Sequence, residues 1–211
     1  MSKKLPAPTL KRLPNYYNII CQSLESGEKY ISSATIAQLL DIDDTQVRKD
    51  IAATGYVGKP KVGFDIKEFK AHLEEFLGFN NTKKAFLIGA GNLGIALAKY
   101  EGFKKYGLDI LALFDTDPHK IALRLGNKEV FSLSKLPEMV KEMNVQMAIL
   151  TVPSEMAQEV TDFLVKSGIN SIWNFAPTSL KVPEHVLVSS QDLAASFVVF
   201  SSMVSTKRKN D

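Results

Sequence analysis

The residues best suited to chemistry lie close together. Ala85-Phe-Leu-Ile-Gly89-Ala90-Gly91-Asn92-Leu93-Gly94 spells G-x-G-x-x-G after an apolar, strand-like stretch and before a helical one, Ile95 to Lys105. In that setting Gly89 permits a tight turn, Gly91 lets backbone approach a pyrophosphate, and Gly94 lets helix and strand pack closely. The phosphates would rest on the helix N-terminus, against unpaired N–H groups and the positive end of the dipole. Asp115 closes the next strand, at the spacing of a carboxylate that takes the hydroxyls of an adenine-linked ribose. Such a carboxylate repels a 2′-phosphate, so NAD(H) is expected over NADP(H). Lys120 and Arg124 follow a helical turn or more away. Asp115 could instead cap a helix beginning near Pro118, a task Asp117 fits better. Thr116 continues this edge. Thr151-Val152-Pro153-Ser154 and Asn174-Phe175-Ala176-Pro177 follow later strands at the same carboxyl edge, where they would line the nicotinamide side. Ordinary turn chemistry accounts for them as well.

A second constellation lies upstream. Thr45, Gln46, Arg48 and Lys49 open a helix that Asp43 or Asp44 caps and that runs through Ala53, with Val47 and Ile51 on its core side. All four polar side chains can bond base edges or phosphates. A shorter helix, Ile36 to Leu40, precedes it, with N-caps offered by Ser32-Ser-Ala-Thr. Two short helices with a tight turn make a helix-turn-helix. Gly55, Gly58 and Gly63 then bracket Tyr56-Val and Val62 in a hairpin that reads as a wing, with Lys59 and Lys61 at its tip for phosphates. A small helical docking unit fits the same pattern, and the acidic Asp41, Asp43 and Asp44 count against DNA.

These sites need two kinds of scaffold. A first helix, Pro14 to Leu24, places Pro in its opening turn, and Gly27 ends it. From Lys83 onward short apolar runs alternate with amphipathic ones, the βα signature. The expected strands are Ala85–Ile88, Ile110–Phe114, Val130–Phe131, Met147–Val152, Ile169–Trp173 and Val186–Val188. A linking helix, Glu68–Leu77, lies between the halves. The expected organisation is a winged-helix DNA-binding domain with its linking helix over 1–80, a Rossmann domain over 81–189, and a terminal helix and tail over 190–211. In that last segment, Gln191 to Val204, Asp192 is the sole charge and apolar residues cover every side, the mark of a buried helix. A partner subunit is the easiest place to bury it. Lys207-Arg-Lys209 suits its solvated end.

Composition narrows the field. The 211 residues are 45% hydrophobic and 23% charged, which fits neither disorder nor a fibrous repeat. No apolar run is long enough for a membrane span, and Met1-Ser-Lys-Lys-Leu-Pro lacks a signal peptide's apolar stretch. A single cysteine, Cys21, excludes an internal disulfide and a multi-cysteine zinc site, and no metal site is expected. A reducing cytoplasm is the expected compartment. The net charge of +3 falls entirely in the first 63 residues, which hold nine Lys/Arg against six Asp/Glu. A dehydrogenase needs a proton donor, yet His72, His119 and His185 form no obvious partnership with an acid or a lysine. Binding without catalysis is the simpler expectation. An NAD-dependent oxidoreductase with a docking domain, and a redox-sensing interaction protein without DNA binding, stand as alternatives.

The order of these parts, with Arg12-Leu-Pro-Asn-Tyr-Tyr, Ile36-Ala-Gln-Leu-Leu, Gln46-Val-Arg-Lys-Asp50, Val62-Gly-Phe-Asp, the Gly89–Gly94 loop, Phe114-Asp-Thr-Asp-Pro118, Thr151-Val-Pro153 and Asn174-Phe-Ala-Pro177, resembles the bacterial redox-sensing repressor family called Rex. The likeness runs from about Arg12 to Val204. It implies a homodimer with swapped terminal helices that binds a palindromic operator when free or with NAD⁺ and releases it when NADH binds. It also implies a switch. A tyrosine matched by Tyr100 and an aspartate matched by Asp192 pair in the NADH state, and the aspartate bonds a first-helix arginine in the DNA-competent state. Here Asn18 replaces that arginine, Ala53-Thr-Gly55 replaces the family's Ser-Tyr-Phe-Gly, and Pro60-Lys61 replaces the wing's Arg-Gly.

Overall fold

The computed structural model describes residues 5–207. Met1 to Lys4, and Arg208 and Lys209 of the terminal basic run, lie outside the described residues. The chain divides into two compact units, Met1–Asn81 and Thr82–Asp211.

The first unit holds α1 (Ala7–Glu25), β1 (Tyr30–Ile31), α2 (Ser33–Leu40), α3 (Asp44–Ala53), β2 (Phe64–Asp65) and α4 (Ile66–Leu77). The first helix starts at Ala7 rather than Pro14. Pro8 takes the opening turn, where a missing N–H costs nothing, and Pro14 sits inside the helix. An interior proline costs about 3 kcal/mol against alanine. Burial of Leu13, Tyr16, Tyr17 and Ile20 on the same helix offsets it. Ser32 caps α2, its Oγ accepting from the Thr35 N–H at 3.0 Å. Asp43 caps α3, accepting from the N–H groups of Thr45 and Gln46. Asp41 makes the turn between those helices in the left-handed region, with φ 52°. Two of the three acids that counted against a DNA-facing role therefore have local structural work. Val47 and Ile51 are buried, as their spacing predicts, and α2 packs on α3. Asp65 caps α4, which packs on α1 and buries Ile66, Phe69 and Leu73. It is an integral part of this unit.

The wing differs from the expected hairpin. Tyr56 joins no strand; its ring stacks on Phe69 at 4.8 Å. The ladder instead joins β2 to β1, pairing Tyr30 with Asp65 and Ile31 with Phe64. Gly63 explains the change of partner. It has φ +105°, and a Cβ there would lie 2.5 Å from the Ile31 carbonyl oxygen, so only glycine lets the chain lie against β1. Residues 59–63 form a tight turn closed by the Lys59 N–H donating to the Gly63 carbonyl at 2.8 Å.

The second unit is a seven-stranded sheet of β3 (Lys83–Ile88), β4 (Leu108–Asp115), β5 (Arg124–Leu125), β6 (Lys128–Ser132), β7 (Met147–Leu150), β8 (Ser171–Asn174) and β9 (Leu187–Ser190). Its order is β5-β6-β4-β3-β7-β8-β9, parallel except for the β5 edge. The remaining helices are α5 (Asn92–Lys99), α6 (Leu136–Met143), α7 (Ser154–Lys166) and α8 (Leu193–Lys207). Alternate residues of β3 feed two cores: Phe86 and Ile88 pack with Phe114, Leu136, Leu150 and Leu164, while Ala85 and Leu87 pack with Leu113, Val130 and Ile149. The chain leaves β3 first toward β4 and later returns to its other side with β7, a topological switch point.

Two expectations are corrected here. The helix read as Ile95 to Lys105 stops at Lys99. Tyr100 is extended, and a 3-10 turn, Glu101–Tyr106, follows. The Tyr100 ring lies over Gly102, where an added Cβ would come within 2.6 Å of the Tyr100 hydroxyl. No helix begins near Pro118. Asp117 accepts from the His119 N–H at 2.9 Å, and Ala122 and Gly126 at positive φ turn the chain into a β5–β6 hairpin. The terminal helix runs Leu193–Lys207, and within the chain its Leu193, Phe197, Phe200 and Met203 lie about two-thirds exposed. No described helix is long and apolar enough to cross a membrane.

Candidate functional site

The carboxyl ends of β3, β4 and β7 open onto a cleft of about 510 Å³. Gly89, Gly91, Leu93, Asp115, Thr116, Thr151, Val152, Pro153 and Phe175 line it, all expected from sequence. Each glycine has its own structural reason. Gly89 sits at φ +99°, and a Cβ there would meet the Thr151 carbonyl oxygen at 2.9 Å. A Cβ on Gly94 would lie 2.0 Å from the Gly89 carbonyl oxygen, so helix and strand touch there as predicted. A Cβ on Gly91 meets nothing within 4 Å, and no side chain caps α5 at that residue. The N-terminus of α5 therefore borders the cleft at Gly91 with no side chain capping it, the environment a pyrophosphate needs. The residues present fit a dinucleotide. The Thr151 hydroxyl fixes the cradle, donating to the carbonyls of Ile88 and Gly89 at 3.0 and 2.9 Å.

Asp115 stands at the end of β4. Its carboxylate accepts from the Ala90 N–H at 2.8 Å, the Asp117 N–H at 2.9 Å and the Lys120 ammonium at 3.2 Å. Burial pushes this carboxyl up, but those three donors outweigh it and hold it below the usual carboxylate range. Lys120 thus lies on Asp115, not beyond it: the turn that replaces the expected helix brings it back. Five predicted residues do not line the cleft. Ala90 is buried behind Asp115, Asn92 is exposed on the first turn of α5, and Gly94 is buried in the packing. Asn174 is wholly buried: its amide donates to the Thr178 carbonyl and the Ser190 hydroxyl, and its oxygen accepts from the Ala176 N–H. Asn174 and Ala176 hold the loop that presents Phe175. Sequence reading missed Leu133, Met156 and Val160, which supply the cleft's apolar wall.

A run of aromatic rings leads away from the cleft. Phe175 packs against Trp173 at 4.8 Å, Trp173 against Phe103 at 5.5 Å, and Phe103 against Tyr100 at 4.9 Å. Tyr100 ends this run, 59% exposed. Asp192 caps α8, accepting from the Ala195 N–H at 2.8 Å. Among the described residues the structure does not bring Tyr100 and Asp192 together. Asn18 lies half-buried on α1.

In the first unit, Thr45, Arg48 and Lys49 lie exposed on α3. The Arg48 guanidinium pairs with Asp44 one turn back and donates to the Ser33 hydroxyl. Gln46 turns the other way, donating its amide to Asp50 at 2.9 Å. Lys59 lies 5.5 Å over the Tyr30 ring, and Lys61 is exposed at the turn with φ 62°. The centre of this unit is a residue the sequence reading did not single out. Asp50 is 1% exposed and accepts from Thr9, Arg12 (twice), Tyr16 and Gln46 at 2.6 to 2.9 Å. Burial pushes its carboxyl up, but the bonds from Arg12, Tyr16, Thr9 and Gln46 outweigh that and hold it at about 2. The Asp50 bonds raise the Arg12 guanidinium; burial first, then Asp50, raises the Tyr16 phenol. Only the i, i+4 pairing of Gln46 with Asp50 was legible in advance; the α1 partners are remote in sequence.

Residues 80–178 match the family model described as CoA binding domain, and residues 4–52 match one described as "Putative DNA-binding protein N-terminus". The redox-sensing transcriptional repressor Rex of Treponema denticola is 44% identical over 207 residues, 98% of this chain and 99% of the relative. The redox-sensing transcriptional repressor Rex of Carboxydothermus hydrogenoformans is 42% identical over 198 residues, 94% of this chain and 95% of the relative. The crystal structure of RSP in complex with beta-NAD+ and operator DNA matches with a TM-score of 0.91 at 30% identity, covering 98% of this chain and 95% of that one. RSP in complex with beta-NADH matches with a TM-score of 0.88 at 30% identity, covering 98% and 97%.

Proposed function

This chain belongs to the Rex family of redox-sensing transcriptional repressors, and from that membership we propose that it binds palindromic operator DNA and releases it when NADH fills the second unit's cleft. The observation that carries the reading is one chain holding both an α2–α3 helix-turn-helix and an open glycine cradle ending on Asp115. NAD(H) brings the redox signal, since only its nicotinamide ring changes between the two forms. The chain's own residues do the rest. The α5 N-terminus and Gly91 hold the pyrophosphate, Asp115 takes ribose hydroxyls, and Thr151, Val152, Pro153 and Phe175 wall the nicotinamide side. Arg48 and Lys49 reach the operator, with Thr45 beside them, and Lys59 and Lys61 grip phosphate. Gln46 serves through its bond to Asp50, which orients α3. An oxidoreductase with a docking domain gives way to this reading because the full-length relatives are repressors.

The same reading covers assembly, division and place. Residues 1–80 act on DNA, 81–189 on NAD(H), and 190–211 on a second copy. Exposed Leu193, Phe197, Phe200 and Met203 support a homodimer in which α8 crosses to its partner. An apolar groove of about 250 Å³ on the sheet, lined by Leu108, Met147, Ile172, Trp173 and Leu187, offers the receiving surface. A repressor acts where the chromosome lies, in the cytoplasm. Asn18 supplies a neutral partner where the family pattern has a charged one, which weakens the DNA-competent state by about 1 kcal/mol per subunit. A gel shift on a palindromic operator with NADH titrated in tests the whole reading. Binding that NADH abolishes is expected; no binding, or binding indifferent to NADH, overturns it. Asn18→Arg should raise both operator affinity and the NADH needed for release.

A further inference from the structure

The connection from β8 to β9, residues 175–186, is irregular along its length. It starts at Phe175, which lines the cleft. Asn174 holds its first turn through the Thr178 carbonyl and the Ala176 N–H. Beyond Thr178 the chain is held from the side. Leu180 and Val182 pack on the core, and Lys181 between them is exposed. One side chain on α7 grips the Lys181 main chain. Gln158 accepts from the Lys181 N–H at 2.9 Å and donates to the Lys181 carbonyl at 2.9 Å. A carboxamide carries the same donor and acceptor as a peptide group, so Gln158 stands in for one residue of a neighbouring strand. Its second amide proton goes to the Asp162 carboxylate, one turn further along α7, at 2.8 Å. All three partners agree on which end of the amide is oxygen. The same helix carries Met156 and Val160 on the cleft wall. Gln158 thus ties the helix on one side of the cleft to the loop that presents Phe175.

We propose that Gln158 is a positioning residue of the dinucleotide site: through the Lys181 main chain it fixes the loop after β8, and with it Phe175, against the nicotinamide half of the cofactor. The inference rests on the cleft binding NAD(H) with its nicotinamide toward Phe175. Gln158 is half-buried and does not line the cleft, so it acts on the ligand only through the loop. Its effect therefore falls on one half of the ligand. The adenine, its ribose and the pyrophosphate meet other walls.

The test is calorimetric titration of the full-length protein with NADH and with ADP-ribose, which has every part of the dinucleotide except the nicotinamide. Gln158→Met keeps the length of the side chain and loses its bonds to Lys181. It should weaken NADH roughly 3- to 10-fold, the range of one neutral hydrogen bond, and leave ADP-ribose affinity unchanged. Gln158→Glu combined with Asp162→Asn restores an acceptor for the Lys181 N–H, with the asparagine amide donating to the new carboxylate. That pair should recover part of the loss. Equal weakening of both ligands means general loosening and overturns the proposal. So does unchanged NADH affinity in Gln158→Met, or a double variant no better than the single one; in each case NADH binding by the unmodified protein still stands. An unmodified protein that binds neither ligand overturns the cofactor reading itself, and the positioning role with it. Should Gln158→Met not fold, judged by circular dichroism, the double variant alone decides: it must weaken NADH more than ADP-ribose, and equal effects overturn the proposal.

Discussion

Asp50, buried, and Asp115, half-buried, are both carboxyls held below their ordinary range, yet they sit at opposite ends of a scale. Asp50 spends both oxygens on five side-chain bonds within the first unit and is 1% exposed. Asp115 spends part of its capacity on two backbone N–H groups and one lysine, and it borders a cleft of about 510 Å³. A depressed carboxyl alone does not mark a ligand site, because a saturated structural hub produces the same shift. Unspent acceptor capacity facing open space is what separates the two. Asp50 positions α3 from behind, and Asp115 faces the cleft.

The comparison breaks most visibly if the two acids trade effects. Asp50→Ala should cost about 3–5 kcal/mol of stability in urea unfolding, since it strands Arg12 with no acid beside it. Asp115→Ala should cost about 1 kcal/mol and act mainly on NADH affinity. Near-equal losses of stability would show that both acids are structural. Titration sharpens the contrast. Folding lowers the Asp50 pKa, so its stabilisation is present above the unfolded value near pH 4 and disappears as pH falls toward about 2. Roughly 2 kcal/mol should vanish across that window, and in Asp50→Asn that part of the stability profile should be flat.

The glycines extend the comparison to backbone. Gly91→Ala meets no atom within 4 Å, so it should leave the melting temperature unchanged while weakening NADH about tenfold. Gly89→Ala, strained at φ +99°, should lose stability as well. Equal NADH affinity in Gly91→Ala and the unmodified protein would place the pyrophosphate elsewhere. The smallest expected effect lies at the wing. Lys61→Gly relieves a left-handed lysine and should stabilise by roughly 0.5 kcal/mol, while lowering the log–log salt slope of operator binding by about 1. An unchanged slope removes Lys61 from the phosphate contacts.

Legibility followed locality. The cradle, the Asp43 cap, the buried pair Val47 and Ile51 and the all-apolar terminal helix depend on neighbours a few residues away, and their patterns were plain. Pro14 misled because a proline signals a helix start more often than an interior; only the packing of Tyr16 and Ile20 reveals why the helix runs through it. Lys120 and the Phe114–Val130 connection misled for a related reason. Pro118 after Asp117 suggests a capped helix, whereas positive φ at Ala122 and Gly126 folds the segment into turns. The Asp50 hub could not be read at all, since Thr9, Arg12 and Tyr16 reach it across about forty residues of chain. Tyr100 was legible only through family resemblance; its exposure at the end of a ring series comes from pairings between α5, the following 3-10 turn and β8.

That ring series has an optical consequence. Trp173 is the chain's sole tryptophan, so its emission is the signal of one site, uncontaminated by any other indole. It packs on Phe175, which lines the dinucleotide cleft, and on Phe103, which carries Tyr100. Indole emits where the dihydronicotinamide absorbs, and the oxidised ring lacks that absorption. The natural protein is therefore its own spectroscopic gauge: reduced cofactor should dim Trp173 by energy transfer, oxidised cofactor should not, and no dye or label is needed to follow the redox state it responds to.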